Sequence, residues 1–215
     1  MSVPRRRIAA LAAVACLAVL DASAANFEAS IRSPVGAPVE DAAVVLEPVS
    51  GRVPQPKTQA SIEQRDREFV PYLSIVQKGA AVYFPNRDKL KHHVYSFSPA
   101  KTFEIKLYAG QPAQPVIFDK TGEVALGCNI HDWMEAYVLV VDSPWFGKTG
   151  TDGIARIAGV PAGSYRLRIW HPRQLAASAT QDVVIGATPA QRAELVLDVA
   201  PREPHHKPPA DSGSY

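Results

Sequence analysis

Apolar residues in this chain come in short runs broken by Pro, Gly, Asn and Asp. That punctuation predicts strands and turns rather than long helices. Residues 27–31 and 42–46 read as strands, with Ser33-Pro34-Val35-Gly36 turning between them. Residues 50–57 are polar and contain Pro, and read as a linker. Residues 69–76, 81–84 and 93–97 read as further strands, with Gly79 marking a turn and Asn86-Arg87-Asp88 a loop. Phe103-Glu104-Ile105-Lys106-Leu107 alternates apolar and charged positions, as a half-buried strand does. Short apolar runs follow at 116–118 and 124–126, then a continuous β-branched run at 137–141 that predicts a central strand. Past residue 143, Thr149-Gly150-Thr151-Asp152-Gly153 reads as a hairpin turn and Val160-Pro161-Ala162-Gly163 as a second turn. Residues 165–170 alternate apolar and basic, which predicts a strand with one wet face. Residues 183–185 and 193–199 are two more strands, and the Pro-rich polar tail, 201–215, reads as disordered. Many short strands of this kind predict an all-β sandwich or barrel.

Composition narrows the setting. The chain has 215 residues, enough for one large or two small domains, and its 20% charged and 47% apolar content is that of a folded soluble protein. Residues 1–24 match a secretory signal: Arg5-Arg6-Arg7, an apolar stretch over 8–20, and an Ala22-Ser23-Ala24 cleavage site. A lipid anchor at Cys16 is the competing reading. Ala13-Val14-Ala15 is a poor lead-in for one, and apolar residues continue past the Cys, so cleavage after Ala24 is preferred. No later stretch is apolar enough for a membrane helix. The expectation is an exported, soluble protein, periplasmic or otherwise. Loss of Arg5, Arg6, Arg7 and Asp21 brings the formal charge from +2 to about zero. There is no basic stripe of the kind that binds nucleic acid.

The chemistry concentrates in Cys128-Asn129-Ile130-His131-Asp132-Trp133-Met134, a C-x2-H-x2-M loop. Of the two Cys and two Met in the chain, Cys16 and Met1 lie in the segment read as a signal. The remaining Cys and Met thus share one short loop with a His between them. A stray Cys or Met is ordinarily core filler. Thiolate, imidazole and thioether together form a soft set that suits copper, and a blue-copper site takes two His, one Cys and a long axial Met. The second His has two upstream candidates, His92 and His93. Zinc binds Cys and His but rarely Met, and ranks below copper. A thiol hydrolase would pair Cys128 with His131 but leave the upstream His and Met134 unexplained. Asn86 and Asn129 are candidates for hydrogen bonding near the sulfur, or simple turn residues. Trp133 reads as a packing aromatic, a shield over the site or part of a docking patch. His171 ends a strand and reads as a packed or surface His, and His205-His206 as part of a solvated tail.

The middle of the chain resembles the cupredoxins. The matching pieces are Phe84-Pro85-Asn86 with Asp88, then His92-His93-Val94, then Cys128-x-x-His131-x-x-Met134 before the last strand. The short loop looks like that of amicyanin. The fuller runs, residues 92–101 and 127–134, are similar to exported cupredoxin-like proteins named methylamine utilization proteins. The resemblance implies a Greek-key β-sandwich over residues 58–142 that binds one copper and transfers electrons to a redox protein partner. It implies no enzyme activity and no small-molecule substrate. It places the ligands at His92, Cys128, His131 and Met134, with His93 in the position that follows the first His. Amicyanin-like loops carry Pro where this chain has Asp132. A carboxylate beside an exposed imidazole favours the imidazolium, which predicts that the reduced site loses its bond to His131 as pH falls. The flanks, 26–50 and 143–200, resemble the carboxypeptidase regulatory-like domain, a small prealbumin-type sandwich. The pieces are Gly36-Ala37-Pro38-Val39-Glu40-Asp41-Ala42-Ala43-Val44, Thr151-Asp152-Gly153 and residues 161–167. Neither flank alone has strands enough for a sandwich, so the cupredoxin-like stretch reads as an insertion into it. The alternative is that residues 26–49 supply the first strands of the central domain. Two functional classes follow: an electron carrier, or a copper module for storage, delivery or sensing.

Overall fold

The structure is a computed structural model that describes residues 24–55, 58–177, 180–186 and 191–202. The signal-like segment up to residue 23, Cys16 within it, and the tail with His205 and His206 lie outside the described residues. Among the described residues there is strand and no helix. The chain opens with β1 (Ala24–Arg32) and β2 (Ala43–Pro48). The central stretch forms β3 (Gln59–Ser61), β4 (Glu63–Arg65), β5 (Glu68–Val70), β6 (Leu73–Gln77) and β7 (Ala80–Tyr83). It continues with β8 (His92–Ser98), β9 (Lys101–Tyr108), β10 (Val116–Phe118), β11 (Gly122–Gly127) and β12 (Glu135–Val141). The last strands are β13 (Phe146–Lys148), β14 (Ile154–Pro161), β15 (Gly163–Trp170), β16 (Thr180–Ile185) and β17 (Gln191–Val196).

The first two strands pair with the last five. One sheet runs β14-β1-β17 and another β13-β2-β15-β16. Phe27, Ile31, Val44, Leu46, Ile157, Leu167 and Ile169 fill the core they share. The central stretch builds the sheets β6-β12-β11-β8-β9 and β10-β7-β3, and the hairpin β4-β5. Its core contains Phe84, Val94, Phe118, Val124 and Val138, together with Cys128 and Met134. Each fully buried side chain of this size contributes about 1.5–3 kcal/mol through removal from water.

A third apolar cluster joins the two bodies. Ala43 and Val45 from β2 and Trp170 from β15 pack with Leu73, Leu139 and Val141. This explains why 42–46 and 137–141 are continuous apolar runs. In β2, Val44 and Leu46 face one core while Ala43 and Val45 face the junction. In β12, Val138 and Val140 face the central core while Leu139 and Val141 face the junction. A strand covered on both faces loses its polar alternation.

Two local readings change. The Thr149–Gly153 turn closes no hairpin, because β13 pairs with β2 and β14 with β1. The chain crosses between sheets there, pinned by Thr149 Oγ1, which donates to Val39 O and accepts from the Ala42 amide. The run 69–76 is two strands, β5 and β6, separated at Pro71 and Tyr72. Proline has no N–H to continue a ladder.

Candidate metal centre

The centre forms where β8 begins and the β11–β12 loop crosses over it. His92 is the first residue of β8, and Cys128 to Met134 connect β11 to β12. The loop closes on itself through the Met134 amide, which donates to His131 O at 2.9 Å. Side chains on a strand alternate between faces. His92 therefore shares a face of β8 with Val94, and His93 lies on the opposite face beside Tyr95, itself buried.

Three ligating atoms converge. His92 Nδ1 lies 3.2 Å from His131 Nδ1, and Cys128 Sγ lies 3.7 Å from His131 Nδ1. The ligand atoms of His92, Cys128 and His131 all fall within 4.8 Å of one another. The three residues are 0%, 3% and 8% exposed, so water cannot freely solvate them. Metal–ligand bonds of about 2.0–2.3 Å set neighbouring ligand atoms about 3–4 Å apart, and both measured separations lie in that range. Met134 is buried in the same cluster of side chains as Cys128.

The electrostatics prepare the sulfur for a cation. Burial opposes the thiolate, but His92 and the backbone N–H groups of His93 and Ile130 hydrogen-bond to it, and the Cys128 thiol lies below its ordinary value. Burial also opposes charge on His92. Its bonds to Cys128 and Asp88 outweigh that and hold it above the ordinary range. His131 is pushed down by burial, then by positive charge on His92 and Arg67, with Asp88 acting the other way. A ready thiolate is the metal-binding form. The expected effect of Asp132 on His131 does not arise from this geometry: Asp132 faces solvent, while the imidazole is buried rather than exposed.

The other sequence candidates take different places. Asn86 donates from Nδ2 to Leu90 O and Tyr108 O and accepts the Asp88 amide at Oδ1, so it shapes the 86–90 loop. His93 places its ring away from the cluster, with Nε2 2.8 Å from Glu104 Oε1, while its amide serves the sulfur. Asn129 is exposed. His171 is buried at the end of β15. Of two further contacts at the centre, the first was not anticipated, and the second is the packing or shielding role read for Trp133. Asp88 Oδ2 sits 2.7 Å from His92 Nε2, and the Trp133 ring lies 5.1 Å from that of His131. A carboxylate four residues before a histidine is too common a pattern to have signalled the first.

No family model and no curated protein matches this chain. Similar solved structures include a purple cupredoxin from Nitrosopumilus maritimus, 19% identical over 38% of this chain and 99% of that one, with a TM-score of 0.34. A pseudoazurin from Sinorhizobium meliltoi is 17% identical over 40% of this chain and 76% of that chain, with a TM-score of 0.32. Amicyanin from Paracoccus versutus is 17% identical over 46% of this chain and 97% of that chain, with a TM-score of 0.33. Each covers less than half of this chain, and the chemistry of the centre rests on the atoms described above.

Proposed function

We propose that this chain is an exported type 1 copper protein that passes single electrons between redox partners. The observation that carries the reading is the convergence of two imidazole Nδ1 atoms and one thiolate in a buried pocket. A soft thiolate with two imidazoles selects copper over hard cations, and a buried thioether on the same loop completes a blue-copper set. In this reading Cys128, His92, His131 and Met134 would hold the ion. Bound copper supplies the Cu(I)/Cu(II) couple. The protein's part is to fix the ligands and exclude water. Asp88 orients His92, the His93 and Ile130 amides stabilise the sulfur, and Trp133 covers His131. Export is inferred from the signal-like residues 1–24, and the cupredoxin-like stretch is read as inserted into a regulatory-like sandwich formed by the flanks.

A second reading has one observation in its favour. Asp88, His92 and Cys128 follow the carboxylate–base–nucleophile order of a thiol hydrolase. With Cys128 3% and His92 0% exposed, the geometry favours a closed metal site over one that admits a substrate. Storage or delivery of copper is the other alternative. Protein-film voltammetry separates the two copper roles. A reversible one-electron wave with fast exchange supports electron transfer. Ready loss of Cu(I) to a chelator without a reversible wave supports delivery and refutes the carrier.

A further inference from the structure

We infer that the β4–β5 hairpin is a strap that positions both histidines of the centre, through Asp88 for His92 and through Trp133 for His131. The two imidazoles come from separate loops, 39 residues apart. The tip of one hairpin reaches the partners of both. That tip is Asp66-Arg67, with φ of 56° and 58° at consecutive non-glycine residues. Two left-handed residues in a row make the tight turn that suits a two-residue hairpin, normally supplied by Asn or Gly. Arginine is a poor residue for that conformation, which persists only where the surroundings fix it.

The surroundings are Asp88 and Trp133. The Asp66 amide donates to Asp88 Oδ1 at 2.7 Å, and the Arg67 amide donates to Asp88 Oδ2 at 2.9 Å. Consecutive amides in such a turn form a concave anion seat. Oδ2 also meets His92 Nε2 at 2.7 Å. An ionised carboxylate only accepts, so the proton of this contact sits on Nε2 and Nδ1 is turned toward Cys128 and His131. The Asp88 amide is itself held by Asn86 Oδ1 at 2.9 Å. On the other side, Arg67 O accepts the Trp133 indole N–H at 3.0 Å, and the Arg67 guanidinium lies 6.0 Å from the centre of that ring. Trp133 then packs on His131 at 5.1 Å. The hairpin is fixed at its base: the Gln64 amide donates to Pro85 O, Gln64 O accepts from the Arg87 amide, and Phe69 is in the central core. One residue, Arg67, thus touches both branches, by its amide and by its carbonyl.

The strap rests on the copper reading only for its metal-dependent arm. Its first test uses the metal-free protein and hydrogen exchange of three N–H groups, the Asp66 and Arg67 amides and the Trp133 indole. In Asp88→Ala all three should exchange about tenfold faster or more, since loss of the carboxylate frees the tip and the tip releases Trp133. If the two amides speed up and the indole does not, the two branches are independent and the strap is wrong. Asp88→Asn is the milder companion. It keeps an acceptor oxygen and removes the charge, so the indole should stay protected while the amides lose part of their protection. Equal exchange in Asp88→Asn and wild type at both amides would show that the carboxylate charge does not hold the tip, and would overturn the proposal. In the copper-loaded arm, loss of an oriented ligand partner predicts about 10–100-fold weaker copper binding for Asp88→Ala. The reduction potential of Asp88→Asn should rise, because a negative charge that favours the oxidised site is gone. Unchanged affinity and potential in both variants would remove Asp88 as a positioning residue. A wild-type protein that binds no copper would overturn the electron-carrier reading and leave the hydrogen-exchange result standing on its own.

Discussion

Replacing His171 by Asn should flatten the acid side of the stability profile. His171 is 1% exposed, with Nδ1 accepting from the Arg173 amide at 3.0 Å. Nε2 has no hydrogen-bond partner of full geometry, the Glu40 carbonyl offering only a weak one. Burial, then the positive charge of Arg173, push the imidazole down to about 4, against Asp41 and Glu40. The folded value lies below the unfolded one, so the unfolded chain takes up a proton that the folded chain refuses. The stability contribution is full above about pH 6.5 and is lost as pH falls toward the folded value. Between about pH 7.5 and 4.5 the loss from this one group is about 2–3 kcal/mol. Asn keeps an acceptor near the Nδ1 position and cannot titrate. It will cost about 1–2 kcal/mol at every pH through lost packing. The assay is urea denaturation of metal-free wild type and His171→Asn at both pH values. The difference between the proteins should move by about 2–3 kcal/mol in favour of the variant at the lower pH, which makes His171→Asn the more stable protein there, since all other groups titrate alike. Equal losses in the two proteins would refute the burial argument for His171.

Two further outcomes follow from packing. A Cβ added at Gly127 would stand 2.8 Å from Cζ and Oη of Tyr95, so Gly127→Ala should destabilise by about 1–3 kcal/mol in chemical denaturation. The cost should fall markedly in a Tyr95→Ala background, where the obstructing ring is gone. Phe84 is 1% exposed in the central core, and Phe84→Ala should cost about 3–5 kcal/mol in the same assay; a cost below about 1 kcal/mol would show that this core is not packed as described.

The apolar runs told most of the fold. β10 falls on the expected residues 116–118, and β2 and β12 show as continuous apolar runs because both of their faces are covered. The short strands β3 and β4 were not legible. Gln59-Ala60-Ser61 and Glu63-Gln64-Arg65 carry little apolar signal, and their pairing partners, β7 and β5, supply the reason they are strands. The turn at 149–153 was legible as a turn, but which strands it joins depends on pairing over more than a hundred residues. At the centre, the loop spacing in 128–134 was a local signal, and alternation along β8 separates His92 from His93. The strap was not legible: nothing in the local sequence sets Asp66 and Arg67 apart, and only the fold brings their amides to Asp88.

The most direct test of the copper reading is the visible absorption spectrum of the protein with one equivalent of Cu(II), beside Cys128→Ser. A thiolate bound to Cu(II) gives an intense charge-transfer band, and the account predicts that band in wild type and its loss in the variant. A colourless wild-type protein that binds no Cu(II) stoichiometrically would contradict it, and so would a band that survives the loss of the sulfur.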